Sequence, residues 1–305
     1  MKNNKYIIYK NDLKFRNQRN LDKSKIDWEQ NDISDLYDID HDTLEFRFNE
    51  SKESNNTDLD LRHLDLISLP KEINLNIFNN LLHLFLSNNK LAGKIDFSKF
   101  INLLTLDLDN NSVTEIILPE KLIELSMNNN LLSVLSCNMN LARLKISNNK
   151  LNNINFSNKL EIIEIDNNNL NNININNLMY LKRLIIFCNP LNNISISKSI
   201  EYIDISETNI SEIICTSDTC NLEHLVANKC KNLKYIPKSE KLNKIKNLEL
   251  INTPIEKLYY YDNFELIILQ FNLTKNISKK YKENDANIQI RKNILLVISR
   301  GIEIK

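Results

Sequence analysis

"LIELSMNNNLLSVL" (122–135) sets three consecutive asparagines inside a run of aliphatic residues. Asn is poor in helices and depleted from strands, so its place there needs a reason beyond local propensity. The neighbouring sequence supplies one. "LARLKISNNKLNNI" (141–154), "LEIIEIDNNNLNNI" (160–173) and "LKRLIIFCNPLNNI" (181–194) hold apolar residues and asparagine at the same offsets. The stretch is therefore one copy of an internal repeat. Counted from the first apolar residue, units open at Leu81, Leu103, Leu122, Leu141, Leu160, Leu181, Ile200, Leu222, Ile245 and Leu266, at spacings of 22, 19, 19, 19, 21, 19, 22, 23 and 21 residues. A further unit, "LDLRHLDLISLPKEI" (59–73), carries Leu59, Leu61, Leu66 and Leu69 in the same phase. Within a unit, Leu125 and Met127, or Leu144 and Ile146, alternate with polar residues as a half-buried strand does.

This pattern resembles the leucine-rich repeat family, whose signature is L-x-x-L-x-L-x-x-N-x-L; "LLHLFLSNNKL" (81–91) fits at every specified position. The resemblance covers residues 56–275, about eleven repeats. It implies an α/β solenoid, a horseshoe or arc, with a concave parallel β-sheet and a mostly non-helical or short-helical convex side. It also implies a role for Asn89, Asn111, Asn130, Asn149, Asn168 and Asn189: an inward ladder bonding backbone groups freed where the strand bends. Asn128 and Asn129 are then left facing solvent. Four units carry Leu64, Thr208, Cys230 and Thr253 at the ladder position. Thr and, weakly, Cys can still hydrogen-bond there, whereas Leu64 cannot, which suits a first coil with no predecessor. With only 2 glycines in the chain, left-handed turns must fall to Asn and Asp.

Coil length limits the other side. A 19-residue turn leaves too few residues for a helix of ordinary length, and "LNNINF", "LNNINI" and "LNNISI" (from 151, 170 and 191) alternate with period two, predicting extended or single-turn segments. The longer units, around "SKFINL" and "PKSEKLNKIKNL", have room for a short helix. Residues 1–55 are expected to form an amino-terminal cap or partly mobile segment, with "TLEFRFNE" (43–50) as an edge strand. Residues 276–305 are expected to cap the other end, "IQIRKNILLVIS" (288–299) forming a strand over the last coil. A solenoid adds coils instead of enlarging one core, so 305 residues read as a single elongated domain.

Composition excludes several classes of function. Formal net charge is zero with no Lys/Arg stripe, so no nucleic-acid or anionic-membrane partner is expected. There is no apolar core of a signal peptide and no run approaching a membrane span. Five cysteines do not pair into a disulfide framework, which points to a reducing, cytoplasmic setting. Abundant Asn, Lys and Ile is what an AT-rich genome encodes, of the kind that protists and giant DNA viruses carry. Cys215, Cys220, His224 and Cys230 form a C-x4-C-x3-H-x5-C string, but its spacing departs from a zinc knuckle and repeat phase already accounts for Cys230, so no metal is assigned. "LPKEINLNIF" (69–78) is similar to the opening of an F-box, although Leu-Pro commonly ends a coil in the resembled family. "ILPEKLIELSMNNNLLSV" (117–134) is similar to the short repeats of bacterial effector proteins, some of which add a ubiquitin-ligase domain. No phosphate loop, Ser/His/Asp arrangement or HExxH occurs, so neither catalytic residues nor cofactor are assigned.

Function must then reside in a surface. Each strand of the implied sheet presents three outward places, in columns about 4.8 Å apart. They hold an acidic region, Asp107, Asp109 and Glu124, then basic Arg143 and Lys145, then Ile162, Arg183, Ile185, Phe187, Tyr202 and Val226. Strand places facing solvent are normally polar, whereas aromatic residues with Arg are the types enriched in interface cores. The expectation is a monomeric, non-enzymatic module that recognises a protein partner through the concave face. The alternative is a substrate-recognition adaptor of a ubiquitin ligase, docked through its amino-terminal segment.

Overall fold

The computed structural model describes residues 43–74, 79–137, 140–238 and 240–255, with the backbone of strands Leu266–Gln270, Ile288–Arg291 and Ile294–Ile298. Residues 1–42, and the remainder of 276–305 with the end expectations placed on them, lie outside the described residues.

Each unit contributes one short strand at its third to fifth places, such as His83–Phe85, Thr105–Asp107, Glu124–Ser126, Arg143–Lys145 and Arg183–Ile185. Neighbours pair in parallel and in phase, Leu106 opposite Leu125, Leu125 opposite Leu144, Leu184 opposite Ile203. Repetition of this pairing builds one 13-stranded sheet, parallel until its last two strands. The fourth and sixth places turn inward: Leu84, Leu86, Leu106, Leu108, Leu144 and Ile146 are fully buried. Each such side chain stabilises the fold by roughly 1.5–3 kcal/mol, and each is covered by the coils on either side. The core is therefore a column running the length of the solenoid.

Beyond each strand the chain turns through a left-handed residue at the eighth place: Asn88, Asn110, Asn129, Asn148, Asn167, Cys188, Glu207 and Lys229 all have φ between 51° and 59°. The ninth place follows at once. Asn149 accepts the Leu132 N–H at 3.0 Å on Oδ1 and donates to the Met127 carbonyl at 2.8 Å, both in the preceding coil. Asn130 and Asn168 repeat the arrangement with Val113 and Leu108, and with Leu151 and Ile146. Asn89, Asn111 and Asn189 make the same pair of inter-coil bonds. Where the amide is replaced, Cys230 donates to the Ile205 carbonyl at 3.1 Å and its own N–H is accepted by Thr253 Oγ1.

On the other side, short strands pair two by two: Ala92–Asp96 with Ser112–Ile117, Val134–Ser136 with Asn153–Asn155, and Asn193–Ile196 with Glu212–Cys215. The room for a short helix around "SKFINL" and "PKSEKLNKIKNL" is filled, among the described residues, by turns. Phe100 N–H bonds Phe97 C=O and Leu103 N–H bonds Phe100 C=O, giving successive tight turns. Phe97, Phe100 and Leu103 are all buried, and a three-residue repeat of inward anchors leaves no run for an α-helix. In the second stretch the Leu242 N–H bonds Lys238 C=O and the Ile245 N–H bonds Leu242 C=O, with Leu242 and Ile245 buried and Lys238 exposed.

Three further expectations are corrected. "TLEFRFNE" belongs to an α-helix, Leu44–Glu53, not an edge strand. Thr43 caps it by accepting the Phe46 N–H at 3.3 Å, and Leu44, Phe48 and Ser51 form the inward stripe, a helical spacing hidden under an apparent alternation. The last unit is phased two residues before Leu266: Asn247, in the third place of its unit, lies opposite Leu266. Counted in the sequence from that phase, the unit opens at Phe264, with Ile267, Leu269 and Asn272 in the fourth, sixth and ninth places and Thr274 departing at the eleventh; the apolar run 266–269 had concealed it. Finally, 288–299 holds two strands. Ile294–Ile298 pairs antiparallel with Leu266–Gln270 at the sheet edge, and Ile288–Arg291 folds back on it, the two-residue connection being of hairpin length. "LPKEI" ends a coil in a 3-10 turn, Lys71–Asn74, with Ile73 buried. Among the described residues no helix is long and apolar enough to cross a membrane.

Candidate binding face

Because strands are in register, their outward side chains align into three columns across the sheet. One holds Ile162, Arg183, Tyr202, His224 and Asn247. The middle column holds Glu164, Ile185, Asp204, Val226 and Glu249 in the same order. Two residues further along each chain stand Asp166, Phe187, Ser206 and Asn228. Ile162, Arg183, Ile185, Phe187, Tyr202 and Val226 are all half-buried and flanked by inward residues that are fully buried.

The first column is tied together. The Arg183 guanidinium lies 4.0 Å from the centre of the Tyr202 ring, and the His224 ring follows at 6.0 Å. His224 Nδ1 is 2.7 Å from Asn247 Nδ2. Burial pushes the Tyr202 hydroxyl pKa up, so the phenol is neutral here. A cation–π contact of this kind holds an aromatic ring in place at modest energy. Among the described residues Phe187 has no such partner ring, and it stands two columns from Tyr202.

Charges follow the same rows. Arg143 pairs with Glu124, and Glu164 with both Lys145 at 3.3 Å and Arg183 at 4.0 Å. Asp109 accepts the Ser126 hydroxyl and the Asn128 N–H. Asp204 accepts the Ser206 N–H at 2.9 Å, and Glu249 lies 3.5 Å from Asn228 Nδ2. Among the described residues no cation pairs with Asp204 or Glu249. Burial drives the Asp204 carboxyl pKa up, and the charge of Asp166 adds to it. Asp107, farther along, is raised by burial too. Reading only the apolar residues of the column missed Asp204 and Glu249; the same place-counting applied to acids would have found them.

The cysteine string is split between faces. Cys230 is buried at a ladder position and His224 stands on the outer face of the main sheet, while Cys215 ends a strand on the opposite side. The Cys215 and Cys220 thiols act on each other, which lowers the Cys220 pKa to about 7 and raises that of Cys215, and Ser217 Oγ lies 3.9 Å from Cys220 Sγ.

No protein-family model matches the sequence, and neither does any curated protein. Solved structures do match in fold. YopM from Yersinia enterocolitica WA-314 shares 19% identity over 74% of this chain and 58% of its own, with a TM-score of 0.51. The APL1 leucine-rich repeat domain shares 20% over 75% of this chain and 68% of its own, TM-score 0.53. TLR13, in its ssRNA13 complex, shares 20% over 64% of this chain and 31% of its own, TM-score 0.54. The chain thus spans little more than half the length of YopM and about a third of TLR13. Parallel strands in phase, a column of inward leucines and these likenesses agree: in fold, the chain is a leucine-rich repeat solenoid.

Proposed function

We propose that the chain binds a protein partner through the outer, concave face of its main sheet and catalyses no reaction of its own. One observation carries this reading: five apolar or aromatic side chains and Arg183 occupy outward places on neighbouring strands, where polar residues are the norm, and remain half-buried. Aromatic residues and arginine held in place beforehand lose little entropy on binding, which suits them as anchors. Leucine-rich repeat structures of like fold include one solved with RNA, but carboxylates at Asp166, Asp204 and Glu249 would repel phosphates on this face.

The test uses the partner recovered by affinity purification on the full chain from its native cell. Phe187→Ala with Tyr202→Ala should leave the melting temperature nearly unchanged and weaken partner binding at least about 30-fold, since truncating a central anchor typically costs 2 kcal/mol or more. Asn172→Ala with Asn193→Ala, exposed on the opposite side, should bind normally. Loss of binding in the second pair with retention in the first would refute the assignment.

A further inference from the structure

The middle column alternates strictly over five adjacent strands: Glu164, Ile185, Asp204, Val226, Glu249. Glu164 is already matched by Lys145 and Arg183, which leaves Asp204 and Glu249, on either side of Val226, without an ion-pair partner among the described residues, Asp204 feeling only the more distant charge of Arg183. A partner covering Ile185 and Val226 must also cover those two groups. Under a neutral or acidic surface they would lose water with nothing in return, a penalty large enough to abolish binding.

The spacing restricts the shape of a complementary partner as well. Asp204 and Glu249 are two strands apart, about 9.6 Å, with Val226 midway at about 4.8 Å. In an α-helix, residues seven apart lie about 10.5 Å along the axis and share a face, with a residue one turn on, at about 5.4 Å, between them. An extended strand repeats each face at about 6.6 Å and falls out of step. Three outward places span about 13 Å across the sheet, against a helix diameter of about 10–12 Å. Resting on the binding face proposed above, we infer that its occupant is a cationic amphipathic helix of a partner protein. Its Lys or Arg side chains, seven apart, meet Asp204 and Glu249, and its apolar side chains seat on Ile185 and Val226. The raised pKa of Asp204 agrees: burial has already removed much of the carboxyl's water, so a cation brought to it meets a poorly screened charge.

The experiment selects helix-forming peptides from a randomised display library on the full chain and compares winners on variants. Asp204→Asn keeps an acceptor for the Ser206 N–H, and Glu249→Gln keeps one for Asn228, so the doubly substituted chain should fold. The expected winners carry Lys or Arg seven apart with an apolar residue between, and lose at least about tenfold in affinity on that double variant. Winners that are acidic or neutral, or that bind the double variant equally well, overturn the inference. If those winners still fail on Phe187→Ala with Tyr202→Ala, the face stands and only its cationic occupant is lost; if they bind that variant too, both are lost. Displacement of winners by a single-stranded RNA oligonucleotide at equal concentration would instead make this a nucleic-acid face and would also overturn the inference.

Discussion

Three adjacent asparagines at 128–130 perform three different tasks. Asn128 accepts the Ser147 N–H on the sheet face, Asn129 takes the left-handed turn with φ 56°, and Asn130 bonds the preceding coil. Replacing an inward amide with Leu strands backbone groups, so Asn149→Leu should cost on the order of 1–3 kcal/mol in denaturant melts. Asn148→Gly, which keeps left-handed freedom at φ 55°, should change stability by only a few tenths. Equal costs would mean that the ninth place is not the structural one. Asp204 provides a pH test. Its folded-state pKa is raised, so the folded protein binds this proton more tightly than the unfolded chain, and ionising the group destabilises the fold as pH rises. Asp204→Asn should therefore raise the melting temperature at pH 7, with the gain vanishing once pH falls below the ordinary carboxylate value of about 3.9. A constant gain across that range would exclude the titration. Repeat phase makes the inward asparagines legible in the sequence. It does not reveal that Cys188, Glu207 and Lys229 adopt the same left-handed backbone, because those residue types carry no such preference.

Strands were legible wherever a unit fixed its own phase, and were misread where two periods fitted the same letters. Leu44, Phe46 and Phe48 alternate like a strand, yet Leu44, Phe48 and Ser51 bury one stripe of a helix. At the far end, four consecutive apolar residues, 266–269, fit more than one phase, and only pairing with Asn247 decides between them. Around Phe97, Phe100 and Leu103 tight turns fill the space because inward anchors recur every three residues, a demand of packing that propensity does not encode. The loop between Cys215 and Cys220 supplies a prediction at this scale. With the Cys215 thiol acting on Cys220, ultraviolet thiolate absorbance should show one step near pH 7, while Cys188 and Cys137 ionise only at about 11 and about 12 because burial disfavours their thiolates. Cys215→Ala should move the first step toward the free-thiol value of about 8.5. Absence of any step below that value in the unaltered chain would show that the thiols do not interact.

Across the whole solenoid, local repetition becomes a continuous surface. Register converts a difference of one residue type per coil into columns, and columns put Arg183 on Tyr202 and leave Asp204 and Glu249 flanking Val226. The apolar part of that face could be read from place-counting alone; its electrostatics could not, since which acids stay unpaired depends on side chains of adjacent coils. A competing surface exists at Met179 and Tyr180, which are 73% and 62% exposed on the turn before strand Arg183–Ile185. Hydroxyl-radical footprinting of the full chain, with and without its purified partner, compares the two directly. Oxidation of Phe187 and Tyr202 should fall on complex formation while that of Met179 and Tyr180 is unchanged; protection of Met179 and Tyr180 with Phe187 and Tyr202 unaffected would contradict binding through the main sheet.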